Sequence, residues 1–136
     1  GTPETMQDDP RYDDVVAEVA DYLATRARQC VAAGIDAEAI LLDPGIGFGK
    51  TVAHNLALLH HLESLAELGY PLLVGTSRKS VVGKVLNRDV GERAFGDAAV
   101  TAWLASHGAD VVRVHDVAAT RDVVRVTEAL NAGWIP

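Results

Sequence analysis

The sequence ILLDPGIGFGK, residues 40–50, has the pattern of a buried strand that ends in a polar, glycine-rich loop. Two later stretches repeat the pattern, LLVGTSRKS at residues 72–80 and VVRVHD at residues 111–116. Each apolar run has the length of a strand buried on both faces, and each is followed by a segment with helical spacing. Parallel α/β sheets bind ligands just beyond the carboxyl ends of their strands. The three stretches therefore predict a parallel sheet whose functional face is marked at three strand ends.

A helix is predicted before the first strand. Asp9 and Pro10 are typical of an N-cap and a first helical position, so we expect the helix to begin there. Gly34 has the residue type of a C-cap. Between them, apolar side chains recur three or four residues apart, as they do on one face of a helix: Tyr12, Val15, Val16, Val19, Leu23, Ala27, Cys30 and Val31.

Each strand is followed by a further predicted helix. The first of these runs from Val52 to Gly69, and the second ends at Gly108 after a short helical turn at residues 80–86. The third has Thr120 as its expected N-cap and ends at Gly133. The order is therefore one helix followed by three strand–helix units, which favours right-handed parallel connections.

The predicted sheet is incomplete. Three strands cannot close a barrel and leave two open apolar edges. Residues 1–3, Gly-Thr-Pro, have the pattern of a loop leaving a strand that is not present. We therefore expect that another chain completes the sheet or that these 136 residues are a piece of a longer protein.

Composition and charge restrict the classes of function. With 49% hydrophobic and 23% charged residues the chain is typical of one globular domain, and its net charge of −7 argues against general nucleic-acid binding. No apolar run is long enough to span a membrane. Cys30 is the single cysteine, so no internal disulfide can form, which fits a reducing cytoplasm.

Asp43 is the first candidate site residue. A carboxylate directly after a strand can accept two parallel hydrogen bonds from adjacent N–H groups, such as those of a 2-amino-4-oxo-pyrimidine edge. The alternative is that Asp43 caps a turn. The alternating glycines that follow permit a close backbone approach, and Phe48 among them either faces a ligand or packs on a neighbouring loop.

Lys50 and Thr51 resemble the end of a nucleotide-binding P-loop. That motif needs a glycine five residues before Gly49, where this chain has Pro44. Because proline removes a backbone donor and fixes φ, we interpret Lys50 as structural or solvent-facing.

The loop after the second strand is polar and carries two basic residues. Backbone N–H groups at a helix start attract anions, and a nearby lysine adds positive charge. We expect Lys79 to contact a ligand and leave the role of Arg78 open.

Arg113 and His115 are two residues apart on the third strand and therefore share a face. A buried arginine needs an anionic partner, so together they favour a phosphate or pyrophosphate site. The alternative is an internal ion pair between Arg113 and Asp116. The remaining histidines, which show no metal-ligand spacing, are expected at the surface or in packing: His54, His60, His61 and His107.

Four stretches together resemble the C-terminal half of the dihydropteroate synthase family: residues 1–7, 43–50, 76–83 and 113–116. The resemblance runs along the whole chain. It implies part of a (β/α)8 barrel, namely its fifth helix and then strand–helix units six to eight. It also implies that the N-terminal half of the barrel is not in this chain. One departure is Asp97, where a small or hydroxyl residue is expected.

The resemblance implies a transferase of folate biosynthesis that is a sulfonamide target and a dimer. It condenses 6-hydroxymethyl-7,8-dihydropterin pyrophosphate with p-aminobenzoate, with Mg²⁺ held by the missing half. The resemblance assigns catalysis to Lys79, Arg113 and His115, with Arg113 and His115 binding the pyrophosphate or lying beside the pterin. Asp43 and Lys79 contact the pterin, while Phe48 and Ser80 belong to the p-aminobenzoate pocket.

Other hypotheses stay open at this point. The first is that the chain is part of another pterin-binding barrel, and the second is that it is an inactive paralogue of the synthase. The third is that it is a barrel fragment that acts in assembly, by pairing with a missing half or with its own copy. A P-loop hydrolase is disfavoured by Pro44. For the leading hypothesis, an enzyme half-site, the missing strands lead us to expect that the isolated chain has no synthase activity.

Overall fold

The computed structural model describes residues 2–133; Gly1, part of the predicted N-terminal loop, lies outside them, as do residues 134–136. Within residues 2–133, six helices and two strands follow one another in a mixed α/β order. The helices are α1 (Val15–Ala32), α2 (Val52–His60), α3 (Leu62–Ala66), α4 (Ser80–Leu86), α5 (Ala94–Ser106) and α6 (Val117–Ala132), and the strands are β1 (Leu73–Gly75) and β2 (Val111–Arg113). Two 3₁₀ turns lie at Ala37–Ala39 and Val90–Glu92.

The sheet is parallel, as predicted. β1 and β2 pair with Leu73 opposite Val111 and Gly75 opposite Arg113. The first predicted strand, residues 40–42, is reduced to one parallel bridge between Leu42 and Leu72. That prediction was too long because Leu42 pairs on one side only, while Leu41 is 47% exposed and has nothing to pack against on its outer side within residues 2–133.

The outer strand β2 differs from its predicted burial. Its apolar sequence predicts a strand covered on both faces, but Val111 and Arg113 are exposed and Val112 is half-buried. Helix α6 packs on α5 and leaves β2 open toward solvent. Of the apolar surface expected at the sheet edge, the side chain of Val111 is exposed on β2.

Helix α1 begins later than its sequence predicts. The N-cap is Asp14, whose Oδ1 accepts hydrogen bonds from the backbone N–H groups of Val16 and Ala17. Glu18 reaches back to accept the N–H of Asp14 at 3.1 Å and stabilises the start at that position. Asp9 instead forms an ion pair with Arg11. The predicted buried face is confirmed at Val15, Val19, Leu23 and Ala27.

The helix predicted for residues 52–69 is broken in two at His61, and the side chain of Leu56 in its first half is 44% exposed. The start of α6 is also corrected. Asp116 rather than Thr120 is the N-cap, because its Oδ1 accepts the N–H of Ala119 at 3.1 Å, and Gly133 ends the helix as predicted.

The core lies between α1, α2, α3 and the sheet, and it supports the loops at the strand ends. Its largest fully buried apolar side chains are Ile46, Leu58, Leu62, Leu65, Leu72, Val74, Val81 and Leu104. Ile46 is the only one of these that comes from residues 43–50, so its side chain anchors that loop on the core. Within residues 2–133, none of the helices has the length and apolarity needed to cross a membrane.

Candidate functional site

A loop with three alternating glycines follows the Leu42 bridge; we call residues 43–50 the glycine loop. Gly45, Gly47 and Gly49 have φ angles of +67°, +83° and +58°. Residues with a Cβ rarely adopt this left-handed region. At Gly47 a Cβ would also lie 3.0 Å from Cδ of Lys79. The backbone can therefore hold this shape, and Lys79 can approach it, because Gly47 has no side chain.

Asp43 begins the glycine loop and caps its first turn. Its Oδ1 accepts the N–H of Gly45 at 2.8 Å, so the turn-cap alternative is present in the structure. The side chain is nevertheless exposed. A carboxylate fixed through one oxygen and open to solvent has acceptor positions left for a ligand with N–H groups.

Lys50 closes the same loop from its end. Its Nζ donates to the carbonyl oxygens of Gly45 at 3.2 Å and Phe48 at 3.1 Å. Burial lowers the pKa of Lys50, the negative charge of Asp43 opposes that change, and the positive charge of Lys79 adds to it. Since the amine is engaged by its own loop, Lys50 has the structural role that its sequence context favours.

Two residues outside the glycine loop hold it in place, and neither was predicted. Asn55 on α2 is 3% exposed; its Oδ1 accepts the N–H of Gly47 at 2.7 Å and its Nδ2 donates to the Thr51 carbonyl at 2.7 Å. Gln7 donates to the Gly47 carbonyl at 2.8 Å. One sequence pattern could have indicated the role of Asn55: it is a polar residue next to the apolar positions of a predicted helix.

Lys79 precedes α4 and lies against the glycine loop. Its Nζ donates to the Ile46 carbonyl and sits 4.5 Å from the centroid of the Phe48 ring. Burial lowers the pKa of Lys79; the carboxylate of Asp43 opposes the shift and the guanidinium of Arg113 reinforces it. The structure thus brings together Asp43, Phe48 and Lys79 from two strand ends.

Arg113 ends β2 beside β1. Its Cβ would lie 3.5 Å from a Cβ placed on Gly75, so the two strand ends are closely packed. The side chain is exposed rather than buried, because the outer face of β2 is uncovered. Within residues 2–133 the suggested ion pair with Asp116 is not formed, and Asp116 instead caps α6. Arg113 is therefore a free positive charge near Lys79 within residues 2–133.

His115 lies just beyond β2 and bonds to the loop after β1. Its Nδ1 is 3.0 Å from Oγ of Ser77, at hydrogen-bond distance. Both Arg113 and His115 are exposed at the same strand end. The structure therefore places them together, two residues apart, as their strand spacing predicts.

The last two predicted contacts stand at the surface. Phe48 is 53% exposed, with the Lys79 amine over its ring. Ser80 is the first residue of α4 and is exposed. Arg78 is exposed and adopts a left-handed φ of +61°, a conformation that few residues with a side chain take up. This backbone turns the chain from β1 into α4.

A cavity of about 300 Å³ lies beside Ser77 and His115, between the strand ends and helices α5 and α6. Asp97, on the first turn of α5, lines it, and its Oδ1 is buried with no hydrogen-bond partner in the described part of the chain. Residues 2–133 contain no group of three or more histidine, cysteine or acidic side chains that could hold a metal ion.

The histidines outside the strand ends pack as expected. His54 completes the N-terminal capping box of α2, and its ring contacts Tyr12 edge-on at 5.1 Å. His107 stacks on Trp103 with ring centroids 3.7 Å apart.

Comparison with known sequences gives consistent matches. The profile of the pterin binding enzyme family matches residues 1–115. A dihydropteroate synthase of Neisseria meningitidis serogroup C is 51% identical over 133 residues, which cover 96% of this chain and 47% of the relative. The dihydropteroate synthase of Escherichia coli K12 is 48% identical over 129 residues, or 95% of this chain and 46% of the relative.

Solved structures agree in fold. The Yersinia pestis dihydropteroate synthase with a sulfonamide drug complex superimposes with a TM-score of 0.94 at 43% identity, over 98% of this chain and 49% of that one. The Xanthomonas albilineans dihydropteroate synthase in complex with 7,8-dihydropteroate gives a TM-score of 0.88 at 47% identity, over 93% of this chain and 48% of that one. The chain thus spans about half the length of the relatives it matches, as expected for part of a barrel of parallel strands.

Proposed function

The chain belongs to the pterin binding enzyme family, and from that premise we propose that it supplies the pterin-binding half of a dihydropteroate synthase active site. The proposed reaction joins 6-hydroxymethyl-7,8-dihydropterin pyrophosphate to p-aminobenzoate and forms 7,8-dihydropteroate and pyrophosphate. The observation that carries the proposal is the position of the Lys79 amine, which donates to the Ile46 carbonyl of the glycine loop and lies 4.5 Å from the centroid of the Phe48 ring. The charges of Asp43 and Arg113 are close enough to act on it.

Asp43 and Lys79 have complementary roles in this proposal. The exposed carboxylate of Asp43 accepts hydrogen bonds from the 2-amino edge of the pterin. The Lys79 amine donates to a pterin acceptor, and it is already partly desolvated beside the glycine loop. A planar heterocycle with donors on one edge and acceptors on another fits this pair of side chains.

Arg113 and His115 form the proposed anion corner. Both side chains are exposed at the end of β2, where the pyrophosphate would leave. In the reaction the bond between the pterin methylene carbon and the pyrophosphate oxygen breaks, and that oxygen takes the electron pair. Positive charge on Arg113 stabilises the departing anion, and His115, held by Ser77 at Nδ1, donates to it from Nε2.

The second substrate belongs on the Phe48 and Ser80 side of Lys79. There the nitrogen of p-aminobenzoate attacks the methylene carbon of the pterin cation and then loses a proton. The exposed Phe48 ring offers an apolar face, and Ser80 offers a hydroxyl for the carboxylate. Catalysis in this scheme is positioning and charge stabilisation with no covalent nucleophile.

Residues 2–133 contain no group of three or more histidine, cysteine or acidic side chains that could hold a metal ion. We therefore propose that protein ligands for a Mg²⁺ ion come from outside these residues. The steps assigned to this chain involve its own side chains alone. Mg²⁺, the closing loops and the rest of the barrel are proposed to come from the N-terminal half that the relatives have.

The open edge of the sheet supports this division. Three residues at the edges of the sheet are exposed: Val111 and Arg113 on β2, and Leu41 beside the Leu42 bridge. The relatives of this chain are about twice its length. We propose that the N-terminal half of the barrel, or a second copy of the chain, covers these residues. Native mass spectrometry of the chain with and without an added N-terminal half distinguishes the two partners, and a monomer that binds neither contradicts both.

Calorimetric titration with the pterin pyrophosphate tests the proposed site directly. Asp43→Asn keeps an oxygen that can accept the Gly45 N–H but loses the carboxylate, so pterin binding should fall by roughly tenfold or more. Asp36→Asn is the matched control, because Asp36 makes the same kind of turn contact, to the Glu38 N–H at 3.0 Å, away from the strand ends. Equal binding by both variants contradicts the role of Asp43.

Turnover tests the completeness of the site. With both substrates and Mg²⁺ we expect no product from the 136-residue chain alone and product once an N-terminal half from a relative is supplied. Product from the chain alone contradicts the half-site proposal. Pterin binding without any product in the complemented mixture favours an inactive paralogue, and methyl transfer to an acceptor favours another pterin-binding barrel.

A further inference from the structure

Arg93 spans helix α4 from the outside. Its Nη1 donates to the Lys79 carbonyl at 3.2 Å, just before the helix, and its Nε donates to the Arg88 carbonyl at 3.0 Å, just after it. Within residues 2–133 Arg93 forms no ion pair with an acidic side chain; the ion pair found there joins Arg11 to Asp9. The guanidinium of Arg93 is therefore engaged by two backbone carbonyls at opposite ends of one short helix.

Gly83 in the middle of α4 makes this contact possible. A Cβ at Gly83 would lie 2.2 Å from Cζ and 2.6 Å from Nε of Arg93, closer than any real contact. Gly83 has no positive φ, so its backbone conformation does not require glycine. Glycine inside a helix is less favourable than alanine. Glycine at position 83 is explained by the guanidinium of Arg93, which lies against the helix where a side chain would be.

Lys79 has few other backbone supports. It is the N-cap of α4 without a side-chain capping bond, and it follows Arg78, whose φ is left-handed. Its backbone N–H bonds to Thr76 in the turn just before it, and its amine reaches the Ile46 carbonyl on the other side. The Arg93 contact is thus the long-range bond that fixes the main chain of Lys79 from outside the strand ends.

We propose that Arg93 is a positioning residue that sets the amine of Lys79 against the glycine loop, and that Gly83 serves by admitting its guanidinium. The inference rests on the proposed function only in treating Lys79 as a ligand contact. The contact between Arg93 and α4 positions Lys79 whether or not the ligand is a pterin.

Chemical labelling of lysine amines tests the proposal without a pterin. Acetylation of the 136-residue chain across a pH series, read at each lysine by mass spectrometry, gives the pH midpoint of Lys79, and the exposed Lys84 on α4 corrects for reagent reactivity. Burial holds the pKa of Lys79 below its ordinary value. In Arg93→Ala the amine should move into water, and its midpoint should rise toward the value of about 10.4 typical of a solvated lysine.

Gly83→Ala is the decisive variant because it leaves Arg93 unchanged and adds a residue that helices prefer. It should raise the Lys79 midpoint as Arg93→Ala does, and the double variant should show no further rise. Gly91→Ala is the matched control, since a Cβ there meets nothing within 4 Å. Arg93→Lys, which keeps length and charge, should fall between Arg93→Ala and the unchanged chain.

The outcomes separate this inference from the function. An unchanged Lys79 midpoint in folded Gly83→Ala and Arg93→Lys, verified by circular dichroism, overturns the positioning role. A raised midpoint supports it, even if calorimetry shows no pterin binding and so contradicts the proposed function. Where pterin does bind, Arg93→Ala should weaken it by roughly tenfold, the effect of one lost hydrogen bond to a charged group.

Discussion

The hydroxyl of Ser77 lies 3.0 Å from Nδ1 of His115, so a side-chain hydrogen bond joins the loop after β1 to the loop after β2. A histidine bonded through Nδ1 keeps one ring orientation and presents Nε2 outward. The loop after β1 therefore determines where the imidazole of the anion corner points.

Ser77→Ala should weaken anion binding at this corner. The variant removes the bond that orients His115, and a net hydrogen-bond contribution of about 0.5–1.5 kcal/mol corresponds to a loss of roughly two- to tenfold in affinity. Calorimetric titration with inorganic pyrophosphate measures the change. Ser64→Ala, an exposed site on α3, is the control, and an equal affinity for the two variants contradicts the prediction.

Asn55→Ala should destabilise the chain through the glycine loop. The variant leaves the N–H of Gly47 without its acceptor in a site where Asn55 is 3% exposed, so we expect a loss of about 1–3 kcal/mol in the free energy of unfolding. Urea unfolding followed by circular dichroism measures it. Asn131→Ala removes an exposed amide bonded to Ser106 and should change little; similar losses for both would argue against the buried bond.

Lys50→Met should flatten the rise of stability with pH. Burial lowers the pKa of Lys50 below 10.5 in the fold, so between that lowered value and 10.5 the unfolded chain binds more protons and the free energy of unfolding rises with pH. The contribution is complete above 10.5 and is lost as the pH falls through the lowered pKa. Urea unfolding at intervals from neutral pH upward should give a smaller slope for Lys50→Met than for Lys84→Met, and equal slopes would refute the effect.

Lys79→Met should abolish most of the pterin affinity. The amine beside Phe48 is proposed to donate to the pterin, and a hydrogen bond from a charged donor is worth about 1.5–3 kcal/mol, or roughly ten- to a hundredfold in binding. Fluorescence titration with the pterin pyrophosphate measures it. Lys84→Met carries the same change on exposed α4 and should bind normally. Retained affinity in Lys79→Met would show that the pterin does not bind to this amine.

Local spacing predicted the features that depend on neighbouring residues. The four-residue recurrence of Val15, Val19 and Leu23 predicted the buried face of α1, and the apolar runs before Gly75 and Arg113 predicted two paired parallel strands. Because strand ends meet at one edge of a parallel sheet, the candidate side chains after them also came together.

Features that depend on distant contacts were missed. Gln7 and Asn55 both form hydrogen bonds with Gly47, from 40 and eight residues away, and no periodicity in the sequence indicates such contacts. The start of α1 was misplaced because several aspartates can cap a helix, and the choice of Asp14 depends on Glu18 reaching back to it. The burial of Arg113 depends on what covers β2, which the sequence of β2 cannot specify.

The glycine loop described above has one more consequence, for the thermodynamics of association. Gly47 is held at its N–H by Asn55 and at its carbonyl by Gln7, and Lys50 ties the loop to itself. Ordering a flexible backbone costs about 1–2 kcal/mol per residue, and here folding has already met that cost. A ligand that arrives at Asp43 and Phe48 therefore encounters a preorganised surface, and its binding should show a small loss of protein entropy.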